Sequence, residues 1–154
     1  MTEYDDLLRE AYLGEMFGDT FFATMAERQP DKARREKLET LQIVEARTAQ
    51  SLRRLIDRKG LSDAELDARE KGRELAEAID PEDWDNFVSG LLGALPKFLA
   101  DFERLRDIAK QPTDPALIAL VNHEQAIEHF ARLEVEGEED KSLLPLQAHL
   151  RKPA

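Results

Sequence analysis

The run Leu120-Val121-Asn122-His123-Glu124-Gln125-Ala126-Ile127-Glu128-His129-Phe130 decides how the chain is read, because a histidine and two glutamates interrupt an apolar face there. Positions three and four apart share one side of a helix, so Leu120, His123, Ala126, Ile127, Phe130 and Leu133 form a stripe that should point at a core. An imidazole in the middle of that stripe must find partners, since a buried polar group left unsatisfied costs on the order of 1–3 kcal/mol. Glu124 and Glu128 fall on the flank of the stripe and are expected in solvent, as is His129.

The same pattern recurs upstream. Thr2 is placed to cap a helix that keeps its spacing to about Glu27, and the stripe Leu8, Ala11, Tyr12, Glu15, Gly18, Phe22, Met25 has one glutamate inside it. A second helix is expected from Pro30 or Asp31 to Lys59, stopped by Gly60; its face Leu38, Leu41, Glu45, Thr48, Leu52, Ile56 is again broken by one acid. Ser62 and Glu65 read as a capping box opening a helix to about Ala78, whose thin apolar face suggests a connector outside the core. Asp80-Pro81 reads as the start of the next long helix, which runs to about Lys110. Asp101 is the polar exception in its two apolar rows, and Pro96 should kink it. Thr113-Asp114-Pro115 caps the helix that holds the opening run and stops at Gly137, and a short last helix spans about Glu138 to Leu150. No stretch alternates with period two, so the chain reads as all-α.

The 154 residues fit a single domain, 1–154, large enough to fold on its own core. Cysteine is absent, which removes disulfides, thiolate metal sites and cysteine nucleophiles, and makes a reducing compartment the default. Charged residues are spread through the first twenty positions, leaving neither a signal segment nor an apolar span; a cytoplasmic protein without a membrane partner is expected. With 33 acidic against 22 basic side chains and a net charge of -11, the average surface repels phosphate backbones, so nucleic acid is not an expected partner. The basic run Lys32-Ala33-Arg34-Arg35-Glu36-Lys37 reads as a solvated helix face. Apolar residues Leu13, Met16, Phe17 and Phe21, together with the double row on the third long helix, suggest a homodimer interface.

Glu15, Glu45, Asp101 and His123 thus stand in or beside the stripes of four long helices, the way bundles assemble metal sites from inward-facing side chains. Three carboxylates and an imidazole suit one iron, manganese or zinc ion. Another reading needs no ion: Glu15 and Glu45 pair with each other, with Tyr12 or with His123 in a closed polar network. The chain is then a metal-free bundle that binds a protein or an apolar ligand. Nothing resembling a nucleophile elbow or a phosphate-cradling glycine loop is present, and whether the chain is an enzyme stays open.

Most of the chain resembles the ferritin-like superfamily of carboxylate-bridged diiron bundles, such as bacterioferritin and rubrerythrin. Gly14-Glu15-Met16 through Phe22 resembles the first-helix glutamate of that family, Glu45-Ala46-Arg47-Thr48 its Glu-x-x-His, and His123-Glu124-Gln125-Ala126-Ile127 its Glu-Glu-x-His-Ile run. Thr48 and Ala126 stand where the family carries histidines, so the implied site is a degenerate diiron site. The resemblance implies an up-down-down-up four-helix bundle with a long crossover over residues 60–79 and a short C-terminal fifth helix.

Overall fold

A computed structural model describes residues 1–153. Among them the chain is all-helical: α1 (Glu3–Arg28), α2 (Lys32–Leu52), α3 (Ser62–Ala78), α4 (Trp84–Ile108), α5 (Pro115–Val135) and α6 (Leu143–Leu150). No helix among the described residues is long and apolar enough to cross a membrane.

Capping chemistry sets most helix starts. Thr2 accepts from Asp5 N at 3.1 Å while Asp5 returns the bond to Thr2 N at 3.2 Å, so two orphan donors of α1 are satisfied. Asp31 accepts from Arg34 N, and Asp114 from Ala116 N with Pro115 at the first helical position. Gly137 takes φ +81° just beyond α5, a conformation that favours glycine over any residue with a Cβ.

Several expected boundaries move. The second helix ends at Leu52, seven residues before Lys59, because its last turn tightens into Arg53 N→Gln50 O and Leu55 N→Leu52 O bonds and Arg54 turns away to pair with Asp114. The Ser62–Glu65 capping box does not form: α3 starts without a side-chain cap, and Glu65 instead takes Tyr12 Oη at 3.2 Å and Arg58 at 3.3 Å. Asp80 caps no helix but bonds Glu82 N in a turn, and α4 starts three residues later under Asp83. α4 continues through Pro96, which lies on the exposed side where the freed carbonyl reaches water. The last helix begins at Leu143 and not Glu138, after turns that hold Ser142 against Glu134. Lys37, expected in solvent, is buried against Glu134.

α1 packs on α2, α3 and α4, while α5 packs on α4, α2 and α6. The core falls into two clusters along the long axis. One joins Phe22 and Met25 of α1 to Leu38 and Leu41 of α2, Phe87 and Val88 of α4, and Ile127 and Phe130 of α5. The other joins Leu8 and Tyr12 to Leu52, Phe102, Leu105, Leu117 and Leu120. α3 lies tight on α1 at Gly72, where a Cβ would come within 2.4 Å of the Phe17 carbonyl oxygen. The α1 face expected to meet a second copy is therefore partly covered by the chain itself: Met16 and Phe21 are buried and Phe17 lies beneath α3.

Candidate metal centre

Between the two apolar clusters sits a layer of charge. Glu15 of α1, Glu45 of α2, and His123 and Glu124 of α5 are all buried, with His123 fully so. Each is carried inward by an apolar seam of spacing three and four: Leu8, Ala11, Glu15, Gly18, Phe22 on α1; Leu38, Leu41, Glu45, Thr48, Leu52 on α2; Leu117, Leu120, Glu124, Ile127, Ala131 on α5. Burial of the acid follows from its neighbours on the seam, which the hydrophobic effect holds inside.

His123 organises the layer. Its Nδ1 meets the Leu120 carbonyl oxygen, and a carbonyl can only accept, so Nδ1 carries a proton and Nε2 is the nitrogen turned towards the acids. That Nε2 lies 3.0 Å from Glu15 Oε1, 3.6 Å from Glu124 Oε2 and 3.8 Å from Glu45 Oε2. None of these is an aligned hydrogen bond, and His123 Nε2 and Glu15 Oε2 are buried without a partner. Three carboxyl groups thus converge on one imidazole nitrogen with no lysine or arginine among them, and two of the buried polar atoms lack a partner. Single ligand atoms of Glu15, His123 and Glu124 all lie within 4.8 Å of one another. Donors around one ion at about 2.0–2.2 Å would stand roughly 3–4 Å apart, so small rotamer adjustments bring this set onto a common centre.

Removal from water shifts the acids upward. Burial, with the Glu124 charge adding to it, pushes Glu15 up to about 8 although a hydrogen bond from Glu45 works the other way. Burial and the adjoining Glu15 raise Glu45 well above the ordinary range, and burial raises Glu124 to about 7 against the pull of His123. All three shifts favour the protonated carboxyl over the ion, and a bound cation would act in the opposite sense.

Glycine makes the layer possible. A Cβ at Gly18 would lie 2.8 Å from the Glu45 carboxyl carbon and 2.9 Å from its Oε2, so the missing side chain is the space the Glu45 carboxylate fills.

Of the four residues expected to converge, the structure brings Glu15, Glu45 and His123 together. Asp101 is half-buried on the wall of a cavity beside the layer, and on α4 it is Phe102 that meets the imidazole, ring centroids 5.8 Å apart. Glu124, expected on a solvated flank, is the residue the sequence reading missed. Tyr12 is not a partner of the cluster, since its hydroxyl goes to Glu65. Thr48 bonds the Val44 carbonyl of its own helix and offers nothing to the layer.

The cavity has a volume of about 580 Å³ and opens between α1 and α4, with Glu15, Glu45 and Glu124 in its lining. No family model matches this chain, and neither the curated proteins nor the solved structures give a match.

Proposed function

We propose that the chain is a ferritin-like helical bundle that holds one divalent transition-metal ion between Glu15, Glu45, His123 and Glu124. The observation that carries this is the convergence of three buried carboxyl groups on His123 Nε2 with no lysine or arginine among them, Nε2 and Glu15 Oε2 being left without a hydrogen-bond partner. A neutral imidazole oriented by a backbone carbonyl is the usual state of a metal-ligating histidine. Three oxygens and one nitrogen favour manganese or iron, with zinc next, and four protein donors leave positions for water or a substrate on a six-coordinate ion.

The ferritin-like part is supported by how the helices neighbour one another. α1 with α2, α2 with α5, α5 with α4 and α4 with α1 close a ring, outside which α3 lies on α1. The first core cluster takes the C-terminal halves of α1 and α5 and the N-terminal halves of α2 and α4, and the second takes the opposite halves. That pairing is what an up-down-down-up order produces, with α3 carrying the chain back between α2 and α4. The site differs from a full diiron set in lacking the histidines replaced by Thr48 and Ala126 and in gaining His123.

Metal analysis of protein purified without chelator or a metal-affinity tag tests the reading, with near one manganese or iron per chain expected. Glu15→Gln separates it from a closed ion-pair network. If Glu15 holds a proton in the metal-free protein, the neutral amide should leave metal-free stability close to that of the wild type at pH values below about 7. It should also remove the wild type's metal-dependent rise in melting temperature, roughly 5–10 °C at hundredfold excess over Kd. A strongly destabilised chelated variant, with no metal-linked shift in the wild type, would assign Glu15 to an ion pair with imidazolium instead.

A further inference from the structure

The cavity between α1 and α4 has a built polarity that the metal layer alone does not explain. Its floor carries the Glu15, Glu45 and Glu124 carboxyls, one of which keeps a buried oxygen without a partner. Its walls are aromatic and aliphatic, with Phe17, Phe21, Phe87, Leu91, Phe98 and Phe102 among them. Gly14 on α1 and Gly90 on α4 both line it, and a Cβ built on either meets nothing within 4 Å. Walls with nothing against them forfeit packing contacts. The volume lies in the range of small-molecule sites, which are mostly apolar with a few convergent polar groups.

We propose that this cavity binds an elongated, mainly apolar molecule bearing one oxygen head group, of the fatty-acid class. Its chain lies along the phenylalanine walls and its head sits at the carboxylate–histidine layer as a further ligand to the metal. The head position rests on the metal reading given above; the chain position rests on the cavity alone. The burial of the three carboxyl groups that line it selects a slender occupant. A helix of a protein partner is about 10–12 Å across with its side chains and cannot descend between α1 and α4 to a floor of buried carboxyls. The floor also sets the head group. With a divalent ion in place a carboxylate head is attracted as a donor, whereas without one it would bury its charge with no cation to meet it, and an uncharged head is preferred.

Dodecanoate and dodecanol serve as probes, titrated calorimetrically into the full chain with Mn(II) and separately with chelator. Dodecanoate should bind more tightly than dodecanol to the Mn(II) form, and the order should reverse with chelator. In proton NMR of dodecanoate, Mn(II) should broaden the methylene next to the carboxylate far more than the terminal methyl. Gly90→Leu places a side chain in the open space at a solvent-accessible helix position where leucine favours the helix. It should keep Mn(II) binding and weaken both probes at least tenfold. Loss of Mn(II) binding in the wild type would sink the metal reading, and the chelator arm then still judges the cavity. The proposal is overturned if neither probe binds in either form, if Gly90→Leu leaves both affinities unchanged, or if the methyl broadens as much as the head methylene. A dimer in light scattering that dodecanoate does not perturb and Gly90→Leu dissociates would give the groove to a second copy and overturn it equally.

Discussion

The molecule buries charge in two places, and they are built differently. Where α2, α4 and α5 meet the turn before α6, Lys37 Nζ donates to Glu134 Oε2 at 2.6 Å and to the Glu139 carbonyl at 2.8 Å. Trp84 Nε1 donates to Glu134 Oε1 at 2.6 Å, and Ser142 Oγ to Glu134 Oε2 at 2.5 Å. Every acceptor there has a donor from the chain. In the layer around His123, three carboxyls and an imidazole nitrogen converge and no lysine or arginine joins them. Burial is similar in both, so burial of charge does not distinguish a structural network from a binding site; what distinguishes them is whether the protein's own atoms complete the set. The first group ties helix ends together, and the second leaves an opening in the centre of the fold.

Breaking the completed network should have the largest effect. Glu134→Ala would leave the Lys37 ammonium, the Trp84 N–H and the Ser142 hydroxyl facing one another with the acid gone, its side chain having been only 3% exposed. Loss of one partner from a buried pair costs about 3–5 kcal/mol, and here it should do so equally with chelator and with Mn(II). Urea denaturation measures it; a loss below about 1 kcal/mol would mean that the network is hydrated and not closed.

The open layer should reveal itself through pH. Glu15 and Glu124 are raised to about 8 and about 7 from an ordinary value of 4.5, so the folded metal-free state keeps protons that the unfolded chain gives up. Their contribution is full below the unfolded value and is lost as pH rises through the folded ones. His149 acts in the opposite sense: burial, helped by the neighbouring charges, holds it down to about 4 from 6.5, so it destabilises the fold as pH falls below 6.5. The window free of that opposition is about pH 6.5–8, where chelated protein should lose stability on the order of a few kcal/mol as pH rises. Glu15→Gln should flatten that slope. Metal binding must run the other way, gaining affinity up to about pH 8, because the ion replaces protons. A chelated protein equally stable at both ends of the window would contradict the buried, protonated layer.

How far these features could be read from sequence differs by region for a physical reason. Helix order, the Thr2 and Asp114 caps and the Gly137 stop follow from local chemistry and are where the sequence puts them. Asp80-Pro81 carries the same local signal and caps nothing, because Asp83 competes for the same helix. Ser62–Glu65 fails as a box because Glu65 has better partners in Tyr12 and Arg58, fifty-three and seven residues away, which no local pattern shows. Glu15 and Glu45 were legible because each replaces one apolar residue in an otherwise unbroken seam. Glu124 does the same in Leu117, Leu120, Glu124, Ile127, Ala131, yet the adjacent stripe through His123, Ile127 and Phe130 has the same period and is buried too, so a reading along that stripe alone leaves Glu124 on its flank. Two overlapping seams on one helix are resolved only by what packs on each.

Space is a further handle on the open layer. Gly18→Ala favours the helix by about 1 kcal/mol in isolation, but its Cβ would stand 2.8 Å from the Glu45 carboxyl carbon and must push that side chain aside. Since the helix gain and the displacement oppose each other, metal-free stability should move little. Metal affinity should fall about 10–100-fold, the usual effect of disturbing what positions a ligand. Titration with Mn(II) checks it, and unchanged affinity would place Glu45 outside the donor set.

The smallest effect is expected at Asp101, and it bears directly on which helices build the site. Its carboxylate is half-buried on the cavity wall, while the turn of α4 that reaches His123 presents Phe102. Asp101→Asn keeps the shape and removes the charge. If the donors come from α1, α2 and α5 alone, the metal-linked shift in melting temperature should match the wild type and stability should stay within about 0.5 kcal/mol. Long-range attraction between Asp101 and a bound ion would still be felt, but only weakly, because a group open to solvent at one side is screened. A drop in Mn(II) affinity comparable to that of Glu15→Gln would show that α4 swings its carboxylate inward when metal binds. The layer would then be built from all four long helices, with Phe102 as the residue that moves out of the way.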